Sequence, residues 1–126
     1  MRLRPLALSL ILTTTAITAF ALAPPSDDPL DPIRVAPDTH TIALDNPFVR
    51  VLDVRLPPGS VEKRHRHPHG MSVYFTDWTA KVTVDGRGPE VRERKAGTFA
   101  WSEAVVHTVE NVGGTEGHIL RIELKH

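Results

Sequence analysis

From residue 40 onward, the chain consists of short β-rich runs separated by turn-forming residues. The runs are "HTIAL", "FVRVLDVRL", "VEKRHRH", "MSVYFTDW", "AKVTV", "VRERKAGTFAWS", "VVHTVEN" and "HILRIEL". Segments rich in Gly, Pro, Asn and Asp interrupt them, such as "DNP", "PPGS", "DGRGP" and "GGTEG". No run has the periodicity of an amphipathic helix. Eight short strands at roughly ten-residue spacing predict an all-β barrel or sandwich.

Alternation of side chains along a strand predicts which residues share a face. In "HILRIEL", Leu120, Ile122 and Leu124 share one face, and Arg121 and Glu123 lie on the other. The run "VEKRHRH" divides in the same way into one set with Val61, Lys63, His65 and His67, and a second set with Glu62, Arg64 and Arg66. The arginines can therefore face solvent while the two histidines face the interior.

Three of the seven histidines fall within "HRHPHG", residues 65–70. His65 and His67 are two residues apart, so on a strand they point to the same side, about 7 Å apart at the backbone. Their imidazoles can then converge on one ion at about 2 Å each. A third ligand must come from another strand, and "VVHTVEN" places His107 on the same face as Val105 and Val109.

These residues resemble the cupin family. Its first motif has a glycine, five residues and then H-x-H, which Gly59, His65 and His67 match. Its second motif has a glycine followed later by H-x-x-x-N, which Gly97, His107 and Asn111 match. The resemblance implies a small double-stranded β-helix barrel, similar to a jelly roll, over residues 39–126. It also implies that the three histidines bind a metal ion.

The match to the family is incomplete. The glutamate expected after the H-x-H pair is missing, and Met71 stands at its position. Only His65, His67 and His107 therefore carry over as metal ligands, with His69 and Met71 as additional candidates. Three neutral imidazoles would leave the ion its full charge and favour anionic ligands at its open positions. The cofactor expected is a divalent ion, with iron first and copper, manganese or zinc as alternatives; a Met71 thioether would favour copper.

The remaining aromatic residues and histidines carry weaker signals. Alternation assigns Phe75, Phe99 and Trp101 to the barrel lining, and it assigns Tyr74 and Trp78 to the outside or to a subunit contact. His40, His118 and His126 are assigned no role. Neither histidine strand carries an acidic residue on the predicted inward face, which argues against proton-abstraction chemistry.

The N-terminal segment predicts export. Arg2 and Arg4 precede an apolar run to about Leu22, and small residues follow, as in a secretory signal over residues 1–23. An uncleaved membrane anchor is the alternative. Residues 24–38 contain five prolines and four aspartates and predict an extended linker. We therefore expect a periplasmic or secreted protein with no stable membrane domain beyond the signal segment.

Composition narrows the set of partners. Without residues 1–23 the chain has two fewer arginines, which leaves 13 basic against 15 acidic side chains. A chain with this charge balance has no excess of basic side chains with which to bind nucleic acids. The expected partner is therefore a small-molecule substrate or ligand, and a homodimer is possible. The chain has no cysteine, so the exported domain must fold without disulfides.

Two functions fit these observations. The first is a dioxygenase, in which a mononuclear iron or copper site activates dioxygen against a small organic substrate, as in some three-histidine cupins. The alternative is a non-catalytic binding module, dependent on a metal or free of one, for a small anionic or sugar-like ligand. Because one fold carries many functions, the resemblance alone does not choose between them.

Overall fold

The computed structural model describes residues 26–125 as one short helix and nine strands. The elements are α1 (Pro32–Val35), β1 (His40–Asp45), β2 (Val49–Leu56), β3 (Val61–His67), β4 (Gly70–Tyr74), β5 (Trp78–Val84), β6 (Pro89–Arg94), β7 (Phe99–Ser102), β8 (Val105–Asn111) and β9 (Gly117–Leu124). The predicted all-β fold is confirmed. The predicted signal segment lies outside the described residues. Within residues 26–125 no helix is long and apolar enough to cross a membrane.

The strands form two antiparallel sheets that enclose the interior. The first sheet has the order β1-β2-β9-β4-β7, and the second has the order β3-β8-β5-β6. The buried apolar side chains come from both sheets, and they are Leu52, Val54, Leu56, Tyr74, Trp78, Ala80, Val82, Val109 and Ile119. The core therefore lies between the sheets, as expected for a barrel.

The run "VRERKAGTFAWS" forms two strands where the sequence predicts one. A turn separates β6 from β7, with the amide of Thr98 donating to the carbonyl of Lys95 at 3.2 Å. Gly97 within this turn has φ +78°, a conformation that glycine adopts without strain. The glycine therefore ends β6 and lets β7 pair with β4 in the opposite sheet.

A β-bulge in β3 changes the predicted facing of that strand. Glu62 pairs with Val109 and His65 pairs with His107, so three steps along β3 match two steps along β8. The extra residue reverses the alternation on the N-terminal side of His65. Val61 is 63% exposed and Glu62 only 4% exposed, so the prediction that Val61 shares a face with the histidines and Glu62 does not is wrong.

The segment predicted as an extended linker packs on the barrel in its described part. Asp31 caps α1 by accepting from the amide of Ile33 at 2.9 Å, and Pro32 begins the helix with its fixed φ. The amide of Arg66 in β3 donates to the carbonyl of Leu30 at 2.8 Å. Asp31 and Pro32 are buried. The helix cap and these contacts attach the proline-rich segment to the barrel, whereas its composition alone predicts that it lies in solvent.

Candidate metal centre

The structure brings together the three histidines that the sequence predicts as ligands. His65 and His67 come from β3, and His107 comes from the neighbouring strand β8. Their ring centroids are 4.8 Å apart for His65 and His67, 4.6 Å for His65 and His107, and 5.4 Å for His67 and His107. The Nε2 atoms of His65 and His107 are 3.1 Å apart. The imidazoles therefore meet at one place inside the barrel.

His40 is a fourth member of the cluster, which the sequence analysis did not assign. It lies at the start of β1 and is only 3% exposed. Its ring centroid is 5.1 Å from that of His65 and 5.6 Å from that of His67. One ring nitrogen from each of these three residues lies within 4.8 Å of the others, a spacing that one metal ion can bridge. The available signal was its alternation with the apolar Ile42, which places a histidine on the inward face of β1.

Glu62 supplies a carboxylate to the same cluster. Its Oε2 is 3.7 Å from Nε2 of His65, its Oε1 is 3.3 Å from Nδ1 of His40, and Thr39 donates to Oε1 at 2.9 Å. Burial raises the pKa of Glu62 to about 7, against the lowering effect of the Thr39 hydrogen bond. The expectation of no inward acid on the histidine strands is therefore wrong, because the bulge turns Glu62 inward. The family glutamate missing at position 71 has a carboxylate counterpart from β3.

Hydrogen bonds to Nδ1 orient two of the imidazoles. Nδ1 of His65 lies 2.7 Å from the carbonyl oxygen of Lys63, and Nδ1 of His67 lies 2.6 Å from Oε1 of Glu123. Both oxygens are acceptors, so Nδ1 carries the proton in each ring and Nε2 carries the lone pair. A second partner at Nδ1 is the usual arrangement for a metal-binding histidine.

Glu123 in turn belongs to a chain of buried charges. Its Oε2 accepts from Nε of Arg50 at 2.6 Å, and Nη1 of Arg50 donates to Asp31 at 2.6 Å. Glu123 is 1% exposed and Asp31 is 4% exposed. Residue Asp31, from the segment before the barrel, therefore helps to fix the position of His67 through two side chains.

The four histidines are held in the neutral form. Burial, with a smaller contribution from the neighbouring imidazoles, lowers the pKa of His40 to about 3 and that of His107 to about 2. Burial also lowers the pKa of His65 and of His67. Metal binding requires neutral imidazole, so the histidines of the cluster need no deprotonation near pH 7 to bind an ion. This donor set, imidazole nitrogens with one carboxylate, suits divalent ions of the first transition row.

The structure does not bring the two additional candidates to the cluster. On β4, Ser72 and Tyr74 line the cavity beside the histidines, so Met71 points to the outer face of the first sheet. His69 lies outside the cavity lining and stacks on Trp101, with ring centroids 5.9 Å apart. Proline and glycine on either side of His69 place it in the turn before β4, away from the inward-facing positions.

The histidines line a cavity of about 340 Å³, a volume typical of small-molecule sites. Tyr74 and Trp78, each 8% exposed, line it, whereas Phe75 is 48% exposed and Phe99 is 71% exposed. The predicted facing of these four residues is thus reversed, because the alternate set of positions faces the cavity, such as Tyr74 on β4 and Ala100 on β7. Trp101 is 54% exposed but does border the cavity, near its opening.

Comparison with known proteins identifies the fold. No protein-family model matches the sequence, and no curated protein matches it. Solved structures do: a cupin domain from Bordetella pertussis Tohama I is 29% identical, with a TM-score of 0.64 over 69% of this chain and 92% of that one. A Cupin 2 conserved barrel domain protein from Salinispora arenicola is 17% identical, with a TM-score of 0.52 over 82% and 87% of the two chains.

A third match comes from an archaeon. An RmlC-like cupin family protein with a double-stranded β-helix fold, from Methanocaldococcus jannaschii, is 14% identical with a TM-score of 0.55 over 70% of this chain and 82% of that one. The resemblance to the cupin family is therefore confirmed, and the chain is a small cupin barrel. Three of its buried histidines, His40, His65 and His67, lie close enough together to hold a metal ion.

Proposed function

We propose that the protein is an exported, metal-dependent cupin that oxidises a small organic substrate in its barrel. The observation that carries this proposal is the convergence of four neutral imidazoles, three of them buried and that of His107 partly buried, at the wall of a cavity of substrate size. His65, His67 and His107 would hold the ion, and His40 and Glu62 are within reach as further ligands. An iron ion bound there would supply redox chemistry with dioxygen.

The chain's own residues provide the remaining requirements. The hydrogen bonds of His65 to Lys63 and of His67 to Glu123 fix the ring orientations before any ion binds. Apolar side chains, among them Val54, Leu56 and Ile119, line part of the cavity. Such a lining holds the organic part of a substrate beside the imidazoles.

Metal analysis tests the site. We expect about one iron ion per chain in protein purified without chelator, and loss of that iron in both His65→Ala and His107→Ala. His118→Ala is the matched control, since His118 lies in β9 beside Asp53, away from the cavity lining, and should keep the wild-type iron content. Wild-type protein that folds fully and contains no metal under any loading condition would contradict the proposed site.

Oxygen consumption tests the reaction. The iron-loaded protein should consume oxygen in the presence of a phenolic or diketone compound from a substrate panel. Neither His65→Ala nor His107→Ala should consume oxygen with that compound. Iron-loaded protein that consumes no oxygen with any compound would remove the oxygenase proposal while leaving the metal site in place.

A specific observation favours the non-catalytic alternative. Four imidazoles together with Glu62 offer five ligands, enough to leave a metal ion few open positions for substrate and oxygen. A filled site of this kind would suit a binding module for a small ligand. The test is whether Glu62→Gln, which removes the carboxylate charge, changes the number of water molecules on a bound paramagnetic ion, measured by relaxation of the solvent protons.

The exported location is part of the same proposal. It is supported by the charged start and apolar run of residues 1–23. The mass of the protein recovered from the periplasm of a bacterial host tests it, and we expect the loss of about the first 21–23 residues. Full-length protein that remains in the membrane fraction would support the anchor instead.

A further inference from the structure

Arg121 is a buried cation that forms no salt bridge within residues 26–125, and only the longer-range field of Glu123 opposes its charge. It lies in β9 on the inward face and is 4% exposed. Its Nη1 donates to Oγ of Ser102 at 2.7 Å and its Nη2 donates to the carbonyl of Pro68 at 2.6 Å, so both acceptors are neutral. Its Nε has no hydrogen-bond partner. Within residues 26–125 the guanidinium forms no ion pair.

The acid nearest in sequence is already engaged. Glu123 lies two residues further along the same face of β9, but its two oxygens accept from His67 at 2.6 Å and from Arg50 at 2.6 Å. A buried charge without an opposite charge is unfavourable, and a buried donor without an acceptor adds to that cost. Arg121 therefore has a buried charge without a salt-bridge partner of its own, and an anion in the cavity would supply that partner.

The position of Arg121 gives an anion access to it. Arg121 and Ser102 line the same cavity as His67 and His107. The carboxylate of an entering ligand would therefore bind within the cavity that contains the imidazoles. Arginine presents parallel N–H groups that match the two oxygens of a carboxylate.

The opening of the cavity is basic. Arg87, Arg92 and Arg94 also line it, and of these Arg92 pairs with Glu90 at 2.7 Å. Glu103 accepts from Nε1 of Trp101 at 2.9 Å, and Arg94 lies over the ring of Tyr74, 5.2 Å from its centroid. A basic opening raises the local concentration of anions and speeds their association.

We infer that the cavity binds a small organic monoanion whose carboxylate pairs with Arg121 and whose apolar body packs on the barrel lining. One guanidinium matches one negative charge, and the apolar side chains beyond it match a hydrocarbon or aromatic body better than a second charge. The inference rests on the proposed function only in treating this cavity as the substrate site. It names the class of substrate, a carboxylic acid, that the metal centre would meet.

A matched pair of ligands tests the inference on the wild-type protein. Benzoate and benzamide have nearly the same shape and differ in charge, so titration calorimetry should show benzoate binding at least about tenfold more tightly. Equal affinities for the two compounds would overturn the inference, and so would the absence of binding by benzoate and by smaller carboxylates at millimolar concentration. Inorganic phosphate that binds more tightly than benzoate would overturn the assignment of a carboxylate.

Variants then locate the binding residue. Arg121→Gln should weaken benzoate binding by about tenfold or more, because it removes the charge that pairs with the carboxylate. Arg121→Lys should lose less benzoate affinity, since lysine keeps the charge but lacks the planar pair of donors. Unchanged benzoate affinity in Arg121→Gln would overturn the inference. If Arg121→Gln does not fold, Arg92→Gln at the opening should still slow benzoate association at low salt and leave it unchanged at high salt.

Iron content separates this inference from the proposed function. Wild-type protein that takes up no metal under any loading condition but binds benzoate through Arg121 would support the anion site and contradict the metal site. Iron-loaded protein that binds benzoate and benzamide equally would support the metal site and contradict the anion site.

Discussion

The two halves of the barrel interior differ in what stabilises them. In the apolar half, Leu56, Trp78, Ala80, Val82 and Ile119 are buried and contact one another, so removal of apolar surface from water stabilises it. The polar half contains the buried groups His40, Glu62, His65, His67, Arg121 and Glu123, with the partly buried His107 beside them. Hydrogen bonds and ion pairs there do little more than offset the cost of burying charge. The free energy of folding does not explain why this half of the interior is polar. The polar side chains therefore indicate a functional site.

The same strands contribute to both halves. β9 places Ile119 in the apolar half and, two and four residues later, Arg121 and Glu123 in the polar half. β2 likewise provides Leu56 at one end and Arg50 near the other. The distinction between the halves therefore follows the position along each strand, and single substitutions can change one half at a time.

The largest effect is expected where the polar half loses a buried charge. Glu123→Ala leaves Nδ1 of His67 without its acceptor and leaves Arg50 paired with Asp31 alone. Breaking such a buried pair should lower the free energy of unfolding by about 3–5 kcal/mol, measured by urea denaturation. The control Glu110→Ala breaks a more exposed pair with Lys81 and should cost at most about 1 kcal/mol. Equal losses in the two variants would show that burial does not distinguish the pairs.

The next effect comes from the apolar half and should leave the metal centre intact. Leu56 is 1% exposed, and Leu56→Ala should lower the free energy of unfolding by about 2–5 kcal/mol through lost burial and the cavity left behind. Metal bound per folded chain should not change. Leu44→Ala is the control, because Leu44 is 49% exposed and its truncation should cost roughly 0.5 kcal/mol. Loss of metal in folded Leu56→Ala would contradict the independence of the two halves.

The sequence predicts the fold well because the fold depends on strand spacing and turn residues. The order of the runs and the alternation within β9 agree with the structure. Two divisions differ, because the run "MSVYFTDW" contains the break between β4 and β5, and the run "VRERKAGTFAWS" contains the turn at Gly97 between β6 and β7. Turn geometry of this kind depends on φ, and a single glycine in sequence does not determine it.

The candidate site is less predictable because small irregularities decide which side chains face inward. His65, His67 and His107 follow from alternation and from the family resemblance. Glu62 does not, because a bulge shifts the register by one residue and no residue type in β3 marks the bulge. Arg121 and Glu123 illustrate a second limit: alternation correctly separates them from Leu120 and Ile122, but it does not say that the polar set is buried.

A third effect links the polar half to the metal. An ion that binds only the folded protein stabilises it by about 2.7 kcal/mol when its concentration is 100 times its Kd. We expect a chelator to abolish that stabilisation in the wild type and in Leu56→Ala alike, measured by urea denaturation. In His40→Ala the metal should stabilise the protein less, because His40 lies with His65 and His67 within ligand distance of one ion. His118→Ala should behave as wild type, and a full metal effect in His40→Ala would exclude His40 from the ligand set.

The smallest effect is expected at Arg64, which tests whether facing or sequence position matters. Arg64 adjoins His65 in the chain, but its side chain points outward and pairs with Asp85 at the surface. Surface ion pairs contribute little because water already solvates both charges. Arg64→Ala should therefore leave the urea midpoint and the iron content unchanged, although the next residue is the most buried histidine of the cluster. Loss of iron in Arg64→Ala would mean that the conformation of β3 at the bulge, rather than the inward side chains alone, determines the metal centre.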